Sequence, residues 1–180
     1  RSVGIYGNDI TLAGTGSVEV GDGGLGIYSQ SGNVNLNSGT SLKVGQSLGA
    51  GKEGIGVYYG GTGTVNNQLS SMDIGKGSIG FVMGNGGTLN NKLSTVDLKG
   101  DSIYTYTSSP STTVNGYTAI TTSGDENYGY YVAGDFTNES AGTIDLTGGI
   151  GNVGIYSYYT SGSGTATNKA VIKVGAATEV

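Results

Sequence analysis

Two aspartates stand at the same offset of neighbouring repeats, and of all residues in this chain their spacing best fits chemistry. Asp73 and Asp97 each occupy the middle of an apolar–polar–apolar triplet, 24 residues apart. On adjacent strands the two positions would be about 4.8 Å apart, and paired carboxyl groups at about 5–10 Å hydrolyse glycosidic bonds. One hypothesis is therefore a carbohydrate-active β-helix enzyme, a lyase or a glycosidase. The alternative is a solvated polar stripe, because Lys43, Asp145 and Lys173 share this offset.

The side chains used by most hydrolases and metal sites are absent from the sequence. With no His and no Cys, imidazole catalysis, a Ser–His–Asp triad, thiolate metal sites and disulfides are excluded. Gly-x-Gly-x-x-Gly begins at Gly21 and at Gly75, but a dinucleotide site needs a helix after the glycines, and a strand pattern follows both. Asp22, Asp125, Glu126 and turn carbonyls offer oxygen ligands for calcium, but the Gly-Gly-x-Gly-x-Asp repeat of calcium-binding β-helices does not occur. We predict a protein that is not an enzyme, with no catalytic residue, cofactor or metal.

Composition narrows the possible partners. The net charge is −5 and the eight Lys and Arg are scattered, so the positive stripe that nucleic-acid binding requires is missing. Apolar runs are only a few residues long, too short for a membrane-spanning helix. Only 12% of residues are charged, whereas Gly (37) and Tyr (13) are abundant. This balance favours an ordered β protein over a disordered chain.

A degenerate repeat of about 25 residues runs through the whole chain. Its first signature is an apolar residue, Gly, an apolar residue and Tyr, at residues 3–6, 25–28, 55–58, 79–82, 103–106, 128–131 and 153–156. Its second is an apolar–polar–apolar triplet at residues 18–20, 42–44, 72–74, 96–98, 120–122, 144–146 and 172–174. A weaker third triplet lies between them in six repeats, at residues 10–12, 34–36, 65–67, 89–91, 136–138 and 166–168.

Three short period-2 strands per repeat, separated by Gly, Ser and Asn turns, are typical of a β-helix coil. The sequence therefore predicts an all-β fold, a parallel β-helix (β-solenoid) of about seven coils with three short strands per coil. Residues 1–180 form one β-helix segment. Neither end has an atypical capping repeat, so we expect a piece excised from a longer rod, with end-to-end self-association as a possible interaction.

Side-chain alternation predicts which residues face the core. In the first signature, the residues on either side of Gly, such as Ile55 and Val57, are expected to point inward, and Gly and Tyr outward. The outward tyrosines then form a stripe along the rod, interrupted at Val82. In the second signature the central polar residue points outward. Asn67, Asn91, Asn138 and Asn168 recur at one offset and are expected to stack as an internal amide ladder.

Departures from the repeat predict loops. The second repeat has an insertion over residues 46–54, and the fifth has Tyr104 in place of the signature Gly. The fifth also carries a Ser/Thr-rich stretch around Pro110 and the acidic pair Asp125-Glu126. We expect loops at residues 46–54, 107–117 and 122–127.

The recurring Gly-Ile-Tyr, the Gly/Ser turn, Thr-Val-Asn-Asn or Phe-Thr-Asn, and Thr-Ile-Asp-Leu-Thr-Gly-Gly together resemble a known family. They are similar to the passenger repeats of large type V autotransporter adhesins of the fusobacterial type, best over residues 55–100 and 128–175. The resemblance implies a right-handed β-helix at the bacterial surface, as an outer-membrane-anchored or secreted passenger. Membrane contact would be made only by a C-terminal barrel outside these 180 residues. The implied function is attachment to host cells or other bacteria.

The tyrosines are the candidate partner-binding residues for a cell-surface receptor or glycan, because a tyrosine offers an apolar face and a polar tip. The structural alternative is that each ring shields the backbone of the next coil at its Gly. The candidate residues are Tyr28, Tyr58, Tyr59, Tyr131, Tyr158 and Tyr159. Three hypotheses result: a non-catalytic adhesin segment, a carbohydrate-active enzyme, and a purely structural biofilm or surface-array component.

Overall fold

Seven coils, each with three short parallel strands, make up the rod. The computed structural model describes residues 1–158, 160–162 and 164–177, and these residues form strands and turns without a helix. The parallel β-solenoid predicted from the sequence is confirmed. In the part of the chain described, no helix is long and apolar enough to cross a membrane.

The strands are short and evenly distributed along the chain. The first three coils contain β1 (Val3–Gly7), β2 (Ile10–Leu12), β3 (Ser17–Val20), β4 (Leu25–Ser29), β5 (Val34–Leu36), β6 (Ser41–Val44), β7 (Ile55–Tyr59), β8 (Thr64–Asn67) and β9 (Ser71–Ile74). The next two contain β10 (Ile79–Met83), β11 (Gly87–Asn91), β12 (Thr95–Leu98), β13 (Ile103–Thr107), β14 (Thr112–Gly116) and β15 (Ala119–Thr122). The last two contain β16 (Tyr128–Val132), β17 (Asp135–Asn138), β18 (Ile144–Leu146), β19 (Val153–Ser157), β20 (Ala166–Asn168) and β21 (Ile172–Val174).

Corresponding strands of successive coils stack in register. The first sheet has the order β1-β4-β7-β10-β13-β16-β19, and the second β2-β5-β8-β11-β14-β17-β20. The third is divided into β3-β6-β9 and β12-β15-β18-β21. Equal positions pair, as Tyr28 does with Tyr58 and Asn66 with Asn90. Each column of the repeat therefore becomes a ladder along the rod.

Alternation holds in the second and third sheets. Val65 and Leu89 of the second sheet are fully buried, as are Ile74 and Leu98 of the third. The central polar residues of the third sheet lie on the outside, as Lys43 does. The aliphatic residues form the core between the three sheets, and its burial is the main stabilising term.

The glycine column of the first sheet faces the interior, which corrects the alternation expected there. A Cβ on Gly56 would lie 2.5 Å from Met72 Cε and 2.6 Å from the Gly80 carbonyl oxygen. Tyr104, which occupies this column in the fifth coil, is fully buried, and the residue after the glycine also faces inward, as buried Val57 shows. The strand register omits the glycine position at every step. Such local irregularities re-aim side chains in β-strands.

In every strand of the first sheet except β4, the first residue is correspondingly less buried than predicted. Ile55, Ile79 and Ile103 are only half-buried. Tyr128, at the same position, contacts the ring of Tyr131 on the outer face at 5.2 Å between centroids. The prediction that Ile55 points into the core is thus corrected, because the inward position is taken by the glycine.

One of the three predicted loops is wrong. Residues 46–54 contain no strand, as expected, and of the predicted loop at residues 122–127 only Thr122 lies in a strand, as the last residue of β15. Residues 112–116, however, form β14, which pairs with both β11 and β17. The Ser/Thr-rich composition suggested a loop, but Val114 alternates with outward polar residues as Leu89 does in β11, and pairing on both edges holds the segment in the sheet.

An internal amide ladder forms, but in two separate pairs. Asn67 Nδ2 donates to Asn91 Oδ1 at 2.6 Å, and Asn138 Nδ2 donates to Asn168 Oδ1 at 3.0 Å. The first three of these asparagines are fully buried, whereas Asn168 is exposed. Gly116 occupies the same column in the fifth coil and interrupts the ladder.

Gly116 makes room for an aromatic core in the fourth to sixth coils. A Cβ at Gly116 would lie 2.5 Å from the Tyr130 hydroxyl oxygen. The rings of Phe81, Tyr104, Tyr130 and Phe136 follow one another at centroid distances of 6.0, 5.9 and 4.3 Å. In the fifth coil, Tyr104 replaces a glycine and Gly116 replaces an asparagine. The side-chain volume gained at one position is therefore offset by the volume lost at the other.

Candidate functional site

The two aspartates of the enzymatic hypothesis are each engaged by the next coil. Asp73 forms an ion pair with Lys99. The carboxylate of Asp97 accepts hydrogen bonds from Thr121 Oγ1 at 2.8 Å and Ser123 Oγ at 2.7 Å. Both aspartates lie on the outer face of the third sheet, where such pairs contribute little to stability. The arrangement matches the solvated polar stripe better than a pair of carboxyl groups held for catalysis.

Acidic residues of the turns accept hydrogen bonds from backbone N–H groups of the next coil. Asp22 Oδ1 accepts from the Gln46 N–H at 3.0 Å, and Asp125 Oδ1 accepts from the Ile150 N–H at 2.9 Å. Among the described residues, no three acidic side chains gather as a metal-binding group. The glycines starting at Gly21 and Gly75 lead into β4 and β10. As predicted, strands rather than helices follow both Gly-x-Gly-x-x-Gly matches.

The predicted tyrosine stripe is present on the outer face of the first sheet, and we call it the tyrosine row. Its members occupy one column of the repeat: Tyr6, Tyr28, Tyr58, Tyr106, Tyr131 and Tyr156. Tyr28 is stacked between Tyr6 and Tyr58, with centroid distances of 5.1 and 4.9 Å and interplanar angles of 15° and 11°. Val82, only 8% exposed, separates Tyr58 from Tyr106 in the register.

Beyond Val82 the row widens into a cluster around Tyr131. Its ring lies 5.4 Å from Tyr106 and 4.7 Å from Tyr156, between centroids. Tyr158 adds a further ring 5.1 Å from Tyr131, and its hydroxyl donates to the Thr107 carbonyl oxygen at 2.7 Å. Burial, and next a hydrogen bond with Tyr106, raise the pKa of Tyr158. Four of the six candidate residues, Tyr28, Tyr58, Tyr131 and Tyr158, thus lie on one face.

The stacking limits what the tyrosine row can offer a partner. Where the rings lie face to face, as Tyr28 and Tyr58 do, their faces are already in contact with one another. The edges and hydroxyl groups remain for a ligand. Tyr58 also covers the next coil, because its hydroxyl oxygen lies 2.7 Å from where a Cβ on Gly84 would be. This geometry matches the structural interpretation of the tyrosines and leaves an amphipathic outer edge.

The remaining two candidates are not part of this face. Tyr59 is fully buried. Its hydroxyl donates to the Gly32 carbonyl oxygen and accepts from the Gly63 N–H, both at 2.6 Å. This corrects the expectation that Tyr59 can bind a partner, because alternation after Tyr58 turns its side chain inward. Tyr159 lies outside the described residues.

A second regular surface, which sequence reasoning missed, lies on the outer face of the second sheet. Four asparagines of consecutive coils form an outer amide row: Asn35, Asn66, Asn90 and Asn115. Asn66, Asn90 and Asn115 each donate from Nδ2 to Oδ1 of the preceding member, at 3.1, 3.1 and 3.0 Å. All four are half-buried. Their common offset in the repeat was the available signal in the sequence.

The outer amide row borders a shallow groove of about 250 Å³. The groove is lined by Asn35, Asn37, Asn66, Gln68, Asn90 and Lys92. Lys92 supplies its single charge, and the Lys92 ammonium nitrogen lies 5.6 Å from the ring centroid of Tyr117 on the next coil. The lining is thus almost wholly uncharged and rich in hydrogen-bonding groups.

Comparisons with protein-family models, curated proteins and solved structures find no match. A functional surface is therefore inferred from the geometry of this chain alone. Two surfaces qualify: the tyrosine row on the first sheet and the outer amide row on the second. Both continue across several coils, as an extended binding face does.

Proposed function

We propose that this chain is a segment of a non-catalytic bacterial surface adhesin that mediates or spaces attachment to host cells or other bacteria. The observation that carries the proposal is the tyrosine row, an outer aromatic edge continued by every coil except the fourth. Tyr is enriched in the binding regions of protein interfaces. The proposal includes the resemblance to autotransporter passengers and a location at the bacterial surface.

The rod supports this role through its regularity. Because each coil pairs only with its neighbours, stability grows coil by coil and the length can vary without a new core. Seven strands spaced about 4.8 Å apart extend over about 30 Å. A rod of this kind can hold a binding face away from the cell while repeating it along its length.

Stacking also restricts the tyrosine side chains before a partner binds. Tyr28 and Tyr131 each contact rings on two neighbouring coils, so their side chains lose little further freedom when a partner binds. Rigid aromatic groups are effective contact residues for this reason. The ring edges and hydroxyl groups then offer apolar and polar contacts together.

The test is attachment of beads coated with the soluble protein to epithelial cells and to bacteria. The doubly substituted Tyr28→Ser/Tyr131→Ser protein should attach less, because each substitution removes the centre of a stack. Glu19→Thr/Lys43→Thr is the matched control, since it changes two exposed residues of the third sheet. Failure of the folded wild-type protein to attach better than uncoated beads to any cell would refute an adhesive role for this segment.

A further inference from the structure

The outer amide row is not required by burial, unlike the internal ladder. Asn67 and Asn91 are fully buried, so their amides must find partners within the protein. Asn66 and Asn90 are half-buried on the outer face, where water can satisfy them. The same column is occupied by threonine in the other three coils, at Thr11, Thr137 and Thr167. Threonine is therefore sufficient for the strand, and the four successive amides need another explanation.

Each central member of the row retains unused hydrogen-bonding capacity. A primary amide has two N–H donors and two acceptor lone pairs. Asn66 uses one N–H toward Asn35 and one lone pair toward Asn90, and Asn90 is engaged in the same way between Asn66 and Asn115. One N–H and one lone pair of each amide therefore remain. A donor beside an acceptor complements two adjacent hydroxyl groups, each of which donates and accepts.

The lining of the groove beside the row is unfavourable for acidic polymers and for apolar partners. Its single charge is Lys92, so an acidic polymer finds no array of cations. An apolar partner would leave the amide N–H groups without partners, which is costly. Tyr117, half-buried on the coil after Lys92, adds an aromatic ring beside this polar strip. Neutral sugars have uncharged, hydroxyl-rich and partly apolar surfaces, which complement this lining.

We propose that the outer amide row and its groove bind a neutral oligosaccharide that runs along the rod. Asn66 and Asn90 hydrogen-bond to adjacent hydroxyl groups of successive sugar units, and Gln68 and Lys92 contact the same chain from the next column. Tyr117 extends the site by an apolar contact. The inference deepens the proposed attachment function, on which it rests, by naming the ligand class and the face that binds it.

The experiment is a glycan array of neutral and acidic oligosaccharides probed with fluorescent protein, followed by calorimetric titration of the strongest neutral binder. We expect neutral oligosaccharides to bind. Asn66→Thr/Asn90→Thr should weaken binding about tenfold or more, because paired hydrogen bonds are lost at two positions. Glu19→Thr/Lys43→Thr should bind as the wild type does. Circular dichroism and the thermal midpoint establish that both variants are folded.

Three results would overturn the inference: no neutral glycan bound by the folded wild type, binding restricted to acidic glycans, or unchanged binding by Asn66→Thr/Asn90→Thr. Ultracentrifugation of both proteins identifies the competing occupant, since a dimer abolished by the same substitutions would make this face a contact between copies of the chain. Cell attachment with a silent array would leave the proposed function intact and remove this inference. Glycan binding without cell attachment would leave the glycan-binding face intact and remove the proposed attachment function.

Discussion

The hydroxyl group of Tyr104 donates a hydrogen bond to Oδ1 of Asn91, at 2.6 Å, in the interior of the rod. Tyr104 stands in the column that other coils reserve for glycine, and it is fully buried. Its hydroxyl also lies 2.9 Å from Thr118 Oγ1. The contact joins the first sheet to the end of the internal Asn67–Asn91 pair, so an irregular residue is held by the polar ladder of the regular coils.

Tyr104→Phe should therefore destabilise the rod. Phenylalanine keeps the ring and its packing but leaves Thr118 Oγ1 without this partner and removes one donor to Asn91. We expect a loss of about 1–3 kcal/mol in the free energy of unfolding, measured by urea denaturation. A free energy equal to that of the wild type would show that the hydrogen bond contributes nothing.

Tyr130→Phe should behave in the opposite way. The Tyr130 hydroxyl is buried and has no hydrogen-bond partner among the described residues, so its removal should leave stability at pH 7 unchanged or raise it by about 1 kcal/mol. Burial raises the pKa of Tyr130 well above its usual value. Below pH about 10, the unfolded pKa, the phenol is neutral in both the folded and the unfolded state. As the pH rises further the unfolded state ionises first, and the free energy of unfolding falls.

The pH dependence gives the measurement for Tyr130→Phe. Above pH 10, each tyrosine that stays neutral only in the folded state lowers stability by about 1.4 kcal/mol per pH unit. Thermal midpoints between pH 7 and 11 should thus fall less steeply for Tyr130→Phe than for the wild type. Parallel profiles would contradict the buried placement of this hydroxyl.

Alanine in the glycine column should lower the free energy of unfolding, because the interior leaves no space for an added methyl group. At Gly56 the added methyl group would meet Met72 and the Gly80 carbonyl oxygen, and we expect a loss of about 1–3 kcal/mol. Gly21 is the matched control, because nothing lies within 4 Å of a Cβ there. Gly21→Ala should change stability by no more than about 0.5 kcal/mol. Equal effects in urea denaturation would place the glycine column outside the core.

The inner and outer amides should differ sharply under the same substitution. Asn67 donates to Asn91 and accepts from the Leu69 N–H at 3.0 Å, both in the interior. Asn67→Thr breaks both contacts and should cost about 2–4 kcal/mol. Asn66→Thr changes an outer amide to the residue of three other coils and should cost less than about 1 kcal/mol. Similar melting temperatures for the two variants would contradict the assignment of inner and outer columns.

Local pattern was sufficient to predict the coil architecture. Residues such as Val65 and Ile74 alternate with polar neighbours, and short-range alternation determines which side of a strand is buried. The tyrosine row followed from the same rule. It failed at Gly56, because alternation assumes a continuous pleat and the first-sheet strands depart from it between their second and third residues.

The remaining differences between prediction and structure arise from features that the composition of a segment does not reveal. The stretch near Pro110 is rich in Ser and Thr, yet Thr113-Val114-Asn115 repeats Thr64-Val65-Asn66 residue by residue. The burial of Tyr59 required knowing that the strand continues past Tyr58. The outer amide row requires hydrogen bonds between coils, and these depend on the register of strands about 25 residues apart.

The adhesive role is tested most directly by quantitative attachment of the soluble protein to host and bacterial cells, measured by flow cytometry for the wild type and three folded variants. We predict saturable binding that is unchanged in Glu19→Thr/Lys43→Thr and reduced in Tyr28→Ser/Tyr131→Ser. Binding by Asn66→Thr/Asn90→Thr should be reduced only where the receptor is a neutral glycan. Folded wild-type protein that binds no cell above background would contradict the claim that this rod is an adhesive surface.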